Sequence, residues 1–506
     1  MADEPAPPGE GLAVKATRGA LWGGLSFVTL QIFNLAVQLI LINVLEAEEV
    51  GVVGLTTLYN SVIFLISDLG ISNAVIQRKT LPDGYLDTAL WINGVVGGVM
   101  FSLVALVISP LAAAWQGTPL LRPLMIVAAM PLIISPLGGI HRLLLQREGR
   151  FARLAAFETT IAVLIGSLSI VMALSGFGVW SLVTGPVINS FLSVLILWRL
   201  TPWRPSWRFS REHMRDLINF GGGMMGFNLV NYIGANADFL IISKRLGESV
   251  FAAYKVAFDW GTLTYNRIIP FVGKVLLPTF AQIQDDDARL RRGYTQLLTY
   301  ASLLSFPIGA GVMAVAPEFV ALALRKYPDI VTPLRLLCIA GMTYSVVTFT
   351  GAVITAKGRT DIMFKVSWVR LFGFGGAVLI GVRYGLVGVA VADVVYGLST
   401  VWIFQGVAGR LIDMPLRDYL RIFIGPALTA LCVGLGVTAW RWLMAWLGAG
   451  IVAIFASSVV VGGMIYVAAA WMFARSEISF FGATLRRVLV PYADLARARM
   501  KRPAQQ

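Results

Sequence analysis

The chain has 506 residues, of which 57% are hydrophobic and only 13% charged, and its mean hydropathy is +0.76. Soluble domains carry about 25% charged residues, so a soluble core is excluded. The net charge of +14 collects between apolar runs, as it does at a membrane surface, and no nucleic-acid partner is expected.

The first segment, MADEPAPPGEG, is acidic and proline-rich. Residues 1–16 are expected to form a disordered cytoplasmic tail, without the basic region or cleavage site of a signal peptide. Beyond it, apolar runs of at least about 18 residues recur along the chain, the pattern of transmembrane helices. They are continuous rather than alternating, which sets aside a β-barrel. Fourteen helices are predicted, at 19–44, 50–76, 86–112, 121–145, 153–175, 177–198, 217–243, 249–277, 296–323, 330–355, 362–382, 386–408, 420–440 and 448–473. No connection is long enough to fold by itself, and the longest is a basic linker at 200–216. The tail at 475–506 is basic and partly amphipathic, suited to the anionic inner leaflet. Cys338 and Cys432 lie inside apolar runs and read as small buried hydrophobes rather than a disulfide or metal site.

Orientation follows from charge, because Lys and Arg accumulate in cytoplasmic loops. Most of the 41 basic residues fall in alternate loops, and the first loop of the opposite set, EAEEV, is acidic. Both termini are therefore predicted to be cytoplasmic. The pairs Gly149-Arg150 (in QREGRF) and Gly358-Arg359 (in AKGRTD) fall on that side, and orientation alone accounts for their charge.

Their spacing carries more. The two pairs are 209 residues apart, and so are Gly176 and Gly385, one span further on. Helices 1–6 and 7–12 are accordingly predicted to repeat one unit, an N-lobe at 17–199 and a C-lobe at 217–411, with accessory helices 13 and 14 at 412–474. A repeat of even helix number keeps its orientation, so the lobes are parallel and face one another across a cleft. The expected fold is an all-α polytopic membrane protein of two parallel six-helix lobes, suited to alternating access by rocking.

Polar residues inside the spans locate the cleft. Helix 8 carries Lys255, Asp259, Asn266, Arg267 and Lys274 within about a third of its circumference at about 100° per residue. A central Arg, Lys or Asp costs about 2.5–3.5 kcal/mol in lipid, so this face is expected to line water or protein. Lys274 lies near the cytoplasmic end, where it can snorkel. Lys255 and Asp259 are spaced to pair, leaving Arg267 as the charge without a neutralising partner. Helix 7 presents Asn228, Asn231 and Asp238, and helix 1 presents Gln31, Asn34 and Gln38. These amide stripes fit either cavity lining or hydrogen bonding between helices. Asp68, Glu158, Arg370 and Asp393 read as single intramembrane charges. A wet cationic cavity implies an anionic guest, and amides suit the hydroxyls of a sugar.

SDLGISNAVIQRK at 67–79 resembles the signature at the end of helix 2 in the polysaccharide transport family, part of the multidrug/oligosaccharidyl-lipid/polysaccharide exporter superfamily. NADFLIISKRLGESVFAAYKVAFD at 236–259 resembles its helix 7–8 turn, and VGKVLLPTFAQIQDDDARLRRGY at 272–294 its helix 8–9 loop. The resemblance extends over residues 15–410. It implies a MATE/MurJ-like fold and an inner-membrane flippase for undecaprenyl-diphosphate-linked oligosaccharides, serving exopolysaccharide, capsule or lipopolysaccharide assembly. It also implies a cationic lumen, which maps onto Arg267 and Lys255, and no cofactor beyond a coupling ion, H+ or Na+. Asp238 and Asp259 are the candidates for that ion. Membrane lipids, a polysaccharide polymerase and export machinery are the further partners it implies.

Three rival readings make different demands. A membrane polymerase or ligase would expose a large catalytic loop, and this sequence holds none. His141 and His213 lie at cytoplasmic boundaries, and no P-loop occurs. The run GGGMMGF at 221–227 fits close helix packing better than phosphate. A small-molecule antiporter of the superfamily would rely on an acid in the N-lobe, and helix 1 has none in its apolar span. A peptidoglycan-precursor flippase differs only in the glycan.

Overall fold

The computed structural model describes residues 29–67, 71, 75, 78, 81–148, 150–270, 287–357 and 359–475, with side chains except at 151–152, 218–228, 352, 355–356, 360–361 and 363–364. Its first half comprises α1 (Thr29–Val44), α2 (Ala47–Ser67), α3 (Tyr85–Gln116), α4 (Leu121–Ile134), α5 (Pro136–Arg147), α6 (Phe151–Leu174) and α7 (Trp180–Leu200). After the linker come α8 (Arg211–Ala235), α9 (Ala237–Leu246), α10 (Glu248–Gly261), α11 (Asp287–Ala323), α12 (Val331–Ala356), α13 (Thr360–Gly381) and α14 (Gly385–Leu411). The last elements are α15 (Leu416–Ile422), α16 (Ile424–Trp446) and α17 (Ile451–Phe473). Among the described residues there is no strand, and nine helical runs are long and apolar enough to cross a membrane, or ten if the bent α4–α5 pair is one span. The chain is a multi-pass helical membrane protein.

Several boundaries depart from the sequence-based expectation for visible reasons. The predicted fourth span is bent by 51° between α4 and α5. Pro131 and Pro136 start its successive pieces; neither has an N–H to give to the preceding turn. The predicted seventh span starts earlier, at Arg211, because Ser210 caps it by accepting from the His213 amide. It then breaks at Asn236 into α8 and α9. The predicted eighth span is not one regular helix, since α10 ends at Gly261 and a π turn follows at Thr264–Ile268.

The repeated Gly-Arg punctuation has matching backbone. Arg150 precedes α6 with φ −79 and ψ 46, and Arg359 precedes α13 with φ −91 and ψ 54. Each amide donates to the carbonyl five residues back, Arg150 to Leu145 at 3.0 Å and Arg359 to Ile354 at 3.1 Å. Gly176 and Gly385 both take the left-handed φ, 83 and 69, that glycine adopts without strain. The side chain of Arg150 pairs with Glu148.

The core crosses between the halves. Leu55, Leu121 and Met125 share one buried apolar cluster with Phe251, Tyr254 and Leu334. Within it α2 packs on α10, and the approach is close: a Cβ on Gly51 would meet the Glu248 carbonyl oxygen at 2.5 Å. The last helices attach elsewhere, α16 lying along α11. There Arg441 Nη2 meets Glu318 Oε1 at 2.5 Å, with both side chains mostly buried. The linker folds back on the first half, where Trp91 donates to the Ser206 carbonyl at 2.9 Å and Tyr85 to Asp216 at 3.1 Å.

Candidate functional site

A chain of polar contacts runs along the boundary between α1 and the α10 region. Lys255 lies one helical turn from Asp259, and their charged atoms meet at 2.9 Å. Gln38 of α1 reaches across, its Nε2 donating to Asp259 Oδ2 at 3.4 Å. The same amide accepts from Arg267 Nη2 at 3.4 Å, while Arg267 Nη1 donates to Gln31 Oε1 at 3.2 Å. Gln31 and Gln38 are two helical turns apart on one face, so the planar guanidinium bridges both. Two cations and one carboxylate leave the seam net positive, and Arg267 contacts neutral amides in it.

The π turn makes this geometry. The regular α-helix at about 100° per residue ends at Gly261, yet Lys255, Asp259 and Arg267 meet in one seam through Gln38. The five-residue turn at Thr264–Ile268 re-aims Arg267, as π turns often do at functional sites. Asn266 is exposed and donates to Thr262 Oγ1 at 2.7 Å, a local contact. Asn34 lies half-buried on α1 between Gln31 and Gln38. Asn231 is not drawn to the seam: Ser367 of α13 donates to it at 3.3 Å, a bond between helices. Lys274 and Asp68 fall outside the described residues, as does the side chain of Asn228.

The two acids named for coupling are separated by function-relevant surroundings. Asp259 is held by Lys255. Asp238 is instead buried beside Asp393 of α14, with 1% and 0% of each residue exposed. Tyr254 of α10 donates its hydroxyl toward both, at 3.0 Å to Asp238 and closer still to Asp393. Tyr344 of α12 donates to the other Asp393 oxygen at 2.6 Å. Asp393 is therefore no isolated charge, and neither is Glu158, which pairs with Arg142 at 3.2 Å. Tyr254, Tyr344 and the Asp238–Asp393 pairing escaped the sequence reading, because the acids are 155 residues apart and nothing local marks the tyrosines.

One end of the boundary is latched. Asn43 donates to the Ala323 carbonyl at 2.6 Å and Lys326 to the Leu45 carbonyl at 2.6 Å. Gln116 donates to Ser243 at 3.3 Å, Lys244 to the Trp115 carbonyl, and Thr118 to Glu248. Burial and the neighbouring Glu48 carboxylate push the Glu248 carboxyl above the ordinary Glu value. Among the described residues no cluster of His, Cys, Asp and Glu has the makings of a metal site.

Known proteins match most of the chain, some in sequence and some in fold. The chain is 29% identical over 378 residues to the lipopolysaccharide biosynthesis protein WzxC of Escherichia coli, covering 73% of this chain and 76% of that one. It is 26% identical over 422 residues to the teichuronic acid biosynthesis protein TuaB of Bacillus subtilis, covering 82% and 87%. The succinoglycan biosynthesis transport protein ExoT of Rhizobium meliloti matches at 25% identity over 487 residues, covering 95% and 94%. Among solved structures, the lipid II flippase MurJ in an inward closed conformation superposes with a TM-score of 0.72 at 13% identity, covering 90% of this chain and 100% of that chain. At that identity the likeness is one of fold. The profile of a family described as polysaccharide biosynthesis protein matches residues 40–332, more than half of the sequence. The chain belongs to this polysaccharide biosynthesis protein family.

Proposed function

We propose that the chain is a transporter, not an enzyme, and flips undecaprenyl-diphosphate-linked oligosaccharides across the inner membrane by alternating access. Fourteen spans form two parallel six-helix lobes, at 17–199 and 217–411, with 412–474 accessory and both termini cytoplasmic. The observation that carries this reading is the net-positive seam between α1 and α10, built around Arg267 and Gln38. In a low-dielectric cleft an unpaired guanidinium attracts a diphosphate far more strongly than it does in bulk water. Gln31, Gln38 and Asn34 offer donors and acceptors to sugar hydroxyls. Weak contacts shared among several groups suit a carrier that must also release its cargo.

The names of the relatives support this reading, since one is a transport protein for succinoglycan and others serve lipopolysaccharide and teichuronic acid biosynthesis. We place the coupling ion, H+ or Na+, at Asp238 with Asp393 rather than at Asp259, whose charge Lys255 already answers. The deciding experiment deletes the gene and locates the lipid-linked repeat units. Accumulation on the cytoplasmic side supports flipping, whereas absence of the repeat units would show an enzyme of their synthesis.

A further inference from the structure

A second site lies between the halves, on elements other than the α1 and α10 of the polar seam. A groove of about 680 Å³ is lined by Tyr59 of α2, Leu111 and Trp115 of α3, Lys244 and Arg245 of α9, and Leu379 of α13. That volume is within the roughly 300–1,000 Å³ of ligand pockets. The floor is apolar, and Leu111, Trp115 and Leu379 expose 64%, 62% and 49% of their surface. Tyr59 lies about 18 Å along α2 from Ala47, at about 1.5 Å per residue. The groove reaches the latched face of the molecule, where Gln116, next to Trp115, donates to the Tyr59 hydroxyl at 2.9 Å.

Both cations sit at that end. Lys244 Nζ is 4.7 Å from the centre of the Trp115 ring and donates to the Trp115 carbonyl, which fixes its position across the boundary. Arg245 follows it, exposed, with no carboxylate partner among the described residues. An apolar trough closed by two adjacent cations fits one chemistry, an anionic head on a long hydrocarbon tail. Two cations lining one groove match the greater charge of a diphosphate better than the single phosphodiester of a bilayer lipid.

We propose that this groove seats a polyprenyl diphosphate, the first isoprenoid units lying along Leu111 and Leu379 and the diphosphate at Lys244 and Arg245. The inference rests on the flippase reading above and adds a resting place for the lipid tail outside the seam. Because the floor comes from both halves, its width changes when they move. The tail is gripped while the latch is closed and freed when it opens.

The test uses the full-length protein in nanodiscs of phosphatidylethanolamine, with benzoylphenylalanine in place of Leu379 and a radiolabelled polyprenyl diphosphate as probe. Photolabelling at 379 is expected, competed by unlabelled polyprenyl diphosphate and not by phosphatidylglycerol. The double change Lys244→Gln with Arg245→Gln lowers it at least roughly tenfold, from the loss of two charge-assisted contacts. Arg245→Gln alone, which keeps Lys244 on Trp115, lowers it several-fold and guards against a disturbed fold. Equal competition by phosphatidylglycerol overturns the proposal, since the groove then holds ordinary bilayer lipid. Probe binding that falls only in Arg267→Gln, without labelling at 379, also overturns it while leaving the flippase reading intact. No binding of the probe to any part of the protein removes both.

Discussion

Gln38 faces two ways: its amide nitrogen donates to Asp259 and its amide oxygen accepts from Arg267, each at 3.4 Å. One uncharged side chain from the first half thus stands between a carboxylate and a guanidinium of the second. Replacing it with Leu removes both contacts and lets Arg267 approach Asp259. Polymer export is expected to fall by about tenfold, the equivalent of one hydrogen bond to a charged group, with membrane insertion unchanged. Full export from that variant, measured as surface glycan per cell, would take Gln38 out of the site.

Reversal of charge is the harsher change. Arg267→Glu places a second carboxylate near Asp259 and removes the donor to Gln31 and Gln38. Export is expected to stop while the protein still reaches the membrane at normal abundance. Quantified glycan together with an immunoblot of membrane fractions checks both halves of this expectation.

The cluster around Asp393 makes a prediction about stability. Tyr254→Phe withdraws the hydroxyl that Asp238 and Asp393 share. Leaving buried acceptors without their donor costs about 1–3 kcal/mol, read as earlier unfolding in a denaturing detergent titration. Phe at 254 keeps the ring packing against Phe239, so an unchanged midpoint would show that the hydroxyl holds nothing together.

The latch depends on pH through Glu248. Its carboxyl is raised by burial and by Glu48 when the latch is closed, and returns toward the ordinary value when the latch opens. A raised value means that the closed form binds the proton more tightly. Closure is therefore strongest below the ordinary Glu value of about 4.3 and weakens as pH rises through the raised one. Glu48 and Thr118 are the groups facing it. Spin labels on the two sides of the latch should separate as pH rises through this window, and Glu248→Gln should flatten the response.

Gly51 offers a steric counterpart. With the Glu248 carbonyl 2.5 Å from where a Cβ would stand, Gly51→Leu forces α2 and α10 apart at a cost of about 1–3 kcal/mol. The same spin labels should then report a population shifted toward the open latch at every pH. An unchanged distance distribution would mean that α2 and α10 slide rather than separate.

Membrane class and the positions of most helices were legible because apolar runs of sufficient length have no other stable solution in lipid. The repeated Gly-Arg and glycine positions were legible too, since each demands a particular backbone and Arg150 and Arg359 adopt nearly the same one. The pairing of Lys255 with Asp259 followed from helical spacing. The π turn at Thr264–Ile268 was not legible, because it leaves no mark in composition. Asn231 bonds to Ser367 of α13, one of the two roles that an amide stripe leaves open in sequence. Asp238 and Asp393 found each other across 155 residues, and no local pattern encodes which distant helix a buried acid will meet.

The Arg441–Glu318 clasp ties the last helices to α11 through a desolvated ion pair, whose breakage costs about 3–5 kcal/mol. Helix α16 is therefore no independent paddle in the lipid; it is a passenger fastened to its carrier. A fluorophore or antibody fragment mounted on the α16–α17 hairpin would ride with α11 through every cycle, giving a remote gauge of the working stroke that leaves the polar seam untouched.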